Sequence, residues 1–364
     1  MKKFIALLFI LLLAACSAAQ PDVETAVPTE TLAPTVTNTA VLTPTFDMEA
    51  MPIETQQDYS YIEKRYDPTE WEHLLDEYMV WDIGITSTQE IYLGLHTGEI
   101  AYLLDDTWEL FSLDDLGLQE GPHDMVVAPD DSIWIANRSV ASHYVDNQWK
   151  TYSMPDISDT SFIRLAVDSN GVLWVSQHLC YCENSMMRFD GNSWAYLPDE
   201  NFALSQLLFT PDGTLCGTLG GAGILTYDGE SWEFDYGEDL WSSSVGFPVF
   251  RIAADESGKV YAVSDMGDSV VVWNNDRSIE SIPYDSSFYL NGFLIRIFVD
   301  SQETIWMNAC LENDTNSCLV FYKDAQWYKF INLPFSTVAD IKELANGEYL
   351  VATEKGLFKY QPGN

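Results

Sequence analysis

Positive charge is scarce in this chain. Lys and Arg number 17 against 56 Asp and Glu, and the formal net charge is −39 at pH 7. A surface this acidic repels nucleic acid and anionic lipid, so nucleic acid is excluded as a partner, whereas cations and basic partners are attracted. Cysteine is scarce too, with six in 364 residues, and no dense disulfide framework holds the fold. Past the N-terminal stretch no apolar run is long enough to cross a bilayer. No nucleophile elbow, phosphate-binding loop or zinc-protease helix motif occurs, and no motif calls for a cofactor or a metal. Long helical periodicity is missing as well, which leaves the all-β class.

The chain opens with the basic MKK and the apolar FIALLFILL, which has the length of a secretory signal core. Leu13-Ala14-Ala15-Cys16 follows and resembles the bacterial lipobox. That resemblance implies a signal over residues 1–16, lipidation at Cys16, and a mature protein outside the cytoplasm, anchored to a bacterial membrane at the cell surface or in the periplasm. Residues 17–57 are rich in Thr and Pro, as in VPTETLAPTVTNTAVLTPTF. With few large apolar residues they cannot build a core, and they read as a disordered tether.

Residues 58–364 carry a repeat. One aromatic column runs Tyr92, Trp134, Trp174, Cys216, Tyr261, Trp306, Tyr349, with gaps of 40 to 45 residues. A second runs Tyr102, Tyr144, Phe189, Tyr227, Trp273, Tyr322, Tyr360, and a third Trp108, Trp149, Trp194, Trp232, Ile279, Trp327. Three columns in phase, with four short strands per period, are the pattern of propeller blades. The seventh copy ends after GLFKY at Tyr360, and the segment Trp71–Leu75 supplies its missing fourth strand. The expected fold is therefore a seven-bladed β-propeller in which an N-terminal strand closes the last blade and hides the open edge.

The segment FIRLAVDSNGVLWVS, then MMRFDGNSW, resembles the two-component regulator propeller repeat, whose core is an apolar strand, D-x-x-G-x-L-W-V and a strand ending in Tyr or Phe. VFRIAADESGKVYAV and LIRIFVDSQETIWMN are similar. The resemblance spans about residues 80–360. In that family the repeats often form the sensor part of membrane histidine kinases. Here the resemblance reaches only the propeller, so it implies sensing or binding without a kinase.

Four residues before the first turn of each blade lies a polar residue in an otherwise apolar strand: Asp82, Asp124, Arg164, Gln206, Arg251, Arg296 and Asp340. First strands line a propeller axis, so the seven form a ring. Three Asp against three Arg read as a structural, mutually neutralising ring of inter-blade ion pairs, since buried charges need partners. The alternative is a polar channel floor that receives an anionic or polar ligand.

Cys310 and Cys318 flank LENDTNS in blade six and are expected to form a disulfide. Cys180 and Cys182 occupy the same loop of blade three, and Cys216 reads as a small buried apolar residue. His96, His123 and His178 fall on one face, in blades one, two and three. The links between blades on that face carry Trp241, Phe247, Phe288 and Tyr289 among carboxylates. Aromatics with carboxylates suit a carbohydrate or a cationic peptide.

The expected function is a lipid-anchored, non-catalytic binding or protein-interaction module, with an envelope protein or saccharide as partner and the membrane touched only through the anchor. The alternative is a propeller lyase or hydrolase using the His-bearing face, as in propeller lyases of the streptogramin-inactivating type.

Overall fold

The computed structural model describes residues 60–155, 162–178, 185–197, 204–219, 223–235, 249–264, 269–276, 278–284, 288–289, 296–311 and 318–363. The signal, Cys16 and the Thr/Pro segment lie outside these residues, as do Cys180, Cys182, Trp241 and Phe247.

The protein is a seven-bladed β-propeller. Blade one is built from Val80–Ile85, Ile91–Leu95, Ile100–Leu104 and Thr107–Phe111, and blade two from Asp124–Val127, Ile133–Ala136, Val140–Val145 and Gln148–Ser153. Blade three holds Phe162–Val167, Leu173–His178, Met186–Phe189 and Trp194–Tyr196, and blade four Leu204–Phe209, Leu215–Leu219, Gly223–Tyr227 and Trp232–Asp235. Blade five holds Val249–Ala254, Val260–Ser264, Ser269–Trp273 and Ile279–Pro283. Blade six holds Ile297–Val299, Ile305–Met307, Val320–Lys323 and Gln326–Ile331. Blade seven takes Val338–Glu343, Tyr349–Thr353 and Gly356–Tyr360 from the C-terminus and Trp71–Leu75 from the N-terminal side, pairing Trp71 with Tyr360.

The aromatic columns mark repeated contacts. The turn Asp of a blade accepts a bond from the aromatic six residues on: Trp174 Nε1 to Asp168 at 3.4 Å, Tyr261 Oη to Asp255 at 3.1 Å, Trp306 Nε1 to Asp300 at 3.0 Å. Blade four has Thr210 where these have Asp, and Cys216 where they have the ring. Cys216 is buried beside Ile224, Ile252, Val260 and Ala262. The outer-strand Trp reaches the preceding blade: Trp108 Nε1 donates to Leu74 O at 3.2 Å and Trp327 Nε1 to Pro283 O at 2.8 Å. Each of these buries a large apolar ring and satisfies its N–H at the seam between blades.

Closure is tight. Trp71 is 7% exposed and packs on Phe330, Phe335, Phe358 and Tyr360. Gly356 sits at φ 112°, and a Cβ there would lie 1.7 Å from the Leu75 carbonyl oxygen. Only glycine permits that backbone approach.

Among the described residues, three features fall outside the repeat. Tyr61–Arg65 adds a fifth strand to blade six, parallel to Gln326–Ile331. Phe288–Tyr289, in the link between blades five and six, pairs with Cys310–Leu311, beside the disulfide of Cys310 with Cys318. The long link after blade one forms a turn of helix, Leu113–Leu116, with a capping box between Ser112 and Asp115.

Candidate functional site

Six of the seven ring residues lie on the first strands, which line the axis, and Arg296 immediately precedes the first strand of blade six. Asp340 is 9% exposed and the other six are half-buried. Two cavities follow one another along the axis. The upper one, of about 310 Å³, lies at the ends of the first strands where one blade links to the next, and every blade contributes to its wall. Its lining includes Trp81, His123, Arg164, Gln206, Arg251 and Arg296. The lower one, of about 540 Å³, lies toward the first-to-second-strand turns and includes Ser87, Gln89, Glu256, Asp300, Ser301 and Glu343. Asp82, Met125, Val126, Phe298 and Lys342 line both.

The ring stitches neighbouring blades through backbone groups. Asp340 Oδ2 accepts from Ile83 N at 3.1 Å, and Asp124 Oδ2 from Leu165 N at 2.7 Å. Gln206 uses both amide atoms on Ile252, donating to its carbonyl at 2.9 Å and accepting from its N–H at 2.8 Å. Arg164 donates to Ser205 O at 3.1 Å and to His123 O at 3.3 Å, so one side chain joins blades two, three and four.

The charges do not alternate around the ring. Blades seven, one and two carry the three Asp, and blades three, five and six the three Arg, with Gln206 between. A fourth cation joins the ring: Lys342 Nζ stands 3.2 Å from Asp340 Oδ2. Lys342 lies two residues after Asp340 on the same strand, and strand periodicity turns both toward one side. That spacing was legible, but one residue in one blade makes no column.

Burial and the neighbouring Asp340 and Asp124 hold Asp82 well above the usual carboxylate range, and Asp82 shares a hydrogen bond with Asp340. Burial also raises Asp124, against the pull of Arg164, Arg296 and Arg251. Burial, then the like charges of Arg296 and Arg164, push Arg251 down to about 9. It is still protonated at neutral pH, but in a place where its charge is costly. Burial lowers Lys342, yet Asp340 and Asp82 more than offset this and raise it overall.

At the rim, Trp81 lies over Gly94, where a Cβ would come within 2.5 Å of the indole, and donates to Leu95 O at 2.9 Å. Nothing in the repeat marked Trp81, which immediately precedes the ring residue of blade one. His123 is half-buried, and its Nδ1 accepts the Ile163 N–H at 3.4 Å. Burial and Arg138 lower its pKa, so the ring is neutral near pH 7. That contact assigns the proton to Nε2, leaving no lone pair open for a base. His96 is exposed on the hairpin between the second and third strands of blade one and is not part of the cavity wall. The backbone of His178 ends a strand of blade three; its side chain lies outside the described residues.

Phe288 corrects the expectation of an open aromatic face. It is 6% exposed, packed among Tyr61, Tyr284 and Trp327, because pairing with Leu311 folds its link back onto blade six. Of Tyr289 only the backbone is described.

No family model and no curated protein matches the sequence. Solved structures do match in fold. Virginiamycin B lyase from Staphylococcus aureus, as a catalytically inactive variant with quinupristin, is 13% identical, with a TM-score of 0.62 over 80% of this chain and 99% of that one. The extracellular domain of a putative hybrid two component system from B. thetaiotaomicron is 11% identical, with a TM-score of 0.62 over 81% of this chain and 40% of that one. YCF48 bound to D1 peptide is 15% identical, with a TM-score of 0.61 over 84% of this chain and all of that one. At these identities the likeness is one of fold.

Proposed function

We propose that this protein is a lipid-anchored extracytoplasmic propeller, and that it acts as a non-catalytic binding module receiving its ligand at the upper end of the axis. The observation that carries the reading is the upper cavity, walled by polar side chains from all seven blades. Rigid scaffolds commonly present ligands with such convergent walls. The outer-loop reading is weaker, since Phe288 is core and Trp241 and Phe247 lie outside the described residues. A sensor-type role agrees with the repeat resemblance and with the extracellular propeller domain of similar fold. The lyase reading is supported by the position of His123 at the rim and by a lyase of similar fold, and the proton assignment above argues against the use of His123 as a base.

Two measurements test the proposal. The full chain is screened against saccharides and peptides, and hits are repeated with Trp81→Ala and with an outer-surface control, Lys150→Ala. Binding that survives Trp81→Ala unchanged sinks the axial site, and a mass change in the bound compound sinks the non-catalytic reading. For the anchor, metabolic labelling with a fatty acid should mark the parent and not Cys16→Ala; a labelled mutant removes the anchor from the proposal.

A further inference from the structure

The upper axial cavity concentrates the charge that the chain lacks. Of 17 Lys and Arg in the whole sequence, Arg164, Arg251, Arg296 and Lys342 line this one space of about 310 Å³. They come from blades three, five, six and seven, far apart in sequence, so the fold and not a local run assembles them. The remaining surface is strongly acidic, and the cavity is therefore the exception to the field of the molecule.

The stitching of blades does not demand this charge. Gln206 holds the next blade by two bonds to Ile252 without any charge. Arginine instead brings a planar cationic fork that matches carboxylate and phosphate oxygens. The charge count within the ring points the same way. Asp124 is the carboxylate in the field of all three Arg, while Asp82 and Asp340 share a hydrogen bond and Lys342 lies against Asp340. Burial, then the like charges of Arg296 and Arg164, lower Arg251, so its charge is costly there.

Resting on the binding-module reading above, we infer that the upper cavity takes a small molecule by its carboxylate or phosphate group, held between Arg164, Arg251 and Arg296. The volume lies at the small end of ligand pockets, about 300–1,000 Å³, which suits a single sugar acid or sugar phosphate rather than a polymer. Asp124 and Asp340 on the facing arc accept bonds from its hydroxyl groups, and Trp81 at the rim offers an apolar ring face. The acidic exterior repels anions in general, so the site selects those that combine charge with this hydroxyl pattern.

The test is titration of the full chain with glucuronate, glucose 6-phosphate, inorganic phosphate and neutral glucose, followed by calorimetry and thermal shift. The expected result is binding and a raised Tm with the two sugar anions, and none with glucose at equal concentration. Glucuronate binding more tightly assigns the site to carboxylates, and glucose 6-phosphate binding more tightly assigns it to phosphates. Arg251→Gln and Arg296→Gln should each weaken the anion about tenfold or more, and Arg251→Lys should weaken it less and keep the fold even where the amide variants do not. Arg188→Gln, at an exposed position on the third strand of blade three, should change nothing. No anion binding in the millimolar range overturns the inference, as does binding that Arg251→Lys and Arg296→Gln leave unchanged. If a ligand from the wider screen binds in a Trp81-dependent way and no anion competes, the binding module stands and the anion site falls. If nothing binds at the axis, both fall.

Discussion

The two arcs of the axial ring occupy equivalent positions in equivalent strands, yet they do different things. In the acidic arc, Asp340 and Asp124 close bonds to backbone N–H groups of the next blade, and Asp82 is pressed toward its neutral form by its neighbours. One carboxylate oxygen each of Asp340 and Asp124 ties its blade to the next. In the basic arc, guanidinium groups gather around one cavity, where burial and then the like charges of Arg296 and Arg164 depress Arg251. One repeat position thus carries charge of both signs, and the difference lies in which blades carry which sign.

The largest perturbation removes the blade on which the acidic arc depends. Deleting residues 58–76 takes away the fourth strand of blade seven with Trp71, and the extra strand on blade six. Loss of a buried Trp alone costs about 3–5 kcal/mol, and at about 2–4 °C per kcal/mol for a domain of this size the Tm should fall by about 10 °C or more. Deleting residues 17–50 should leave the Tm alone. Equal melts for both truncations would contradict the observed closure. Next comes a direct contrast between the arcs. Asp124→Ala strips an acceptor from Leu165 N and a counter-charge from three arginines, and should cost about 1–3 kcal/mol. Arg251→Met removes a cation that burial and two like charges make costly and should cost less, whereas an ion-pair ring would make either loss severe. A larger Tm drop for Arg251→Met than for Asp124→Ala would make the basic arc structural.

The smallest effect is a pH signature. The folded pKa of Asp82 is raised above its unfolded value, so between those two values the native state binds a proton the unfolded state lacks. Its contribution is full below the unfolded value, near pH 4, and is lost as pH rises through the folded value. Asp82→Asn mimics the protonated form at every pH. Its Tm advantage over the parent should therefore grow from pH 4 to pH 8. A constant difference would show that Asp82 titrates normally.

Much of this was legible because it is repeated. Asp168 with Trp174 and Asp300 with Trp306 mark the same bond in different blades, and a contact made several times leaves a column. Even the gap is consistent, since Cys216 replaces the aromatic in the blade where Thr210 replaces its acceptor. The ring was visible as polar residues in apolar strands. Features made once left no column: Lys342, Trp81, and the strand Tyr61–Arg65, whose parallel pairing follows no hairpin pattern. Phe288 was misread because exposure of a link residue depends on what the link folds against, here Cys310–Leu311.

The pairing of Trp71 with Tyr360 sets an order of events in time. A chain made from its N-terminus presents Trp71–Leu75 long before its partner strand exists, and Tyr61–Arg65 waits for Gln326–Ile331. Contacts of such sequence separation are slow to form, and through that interval both strands have bare edges open to other chains. The sequence guards them: Glu63, Lys64 and Arg65 charge one, and Glu72 beside His73 interrupts the other, as gatekeepers do on strands that must not pair early. The ring is thus sealed by an early strand and a late one together, and the molecule acquires its axis only once Gly356–Tyr360 has been made.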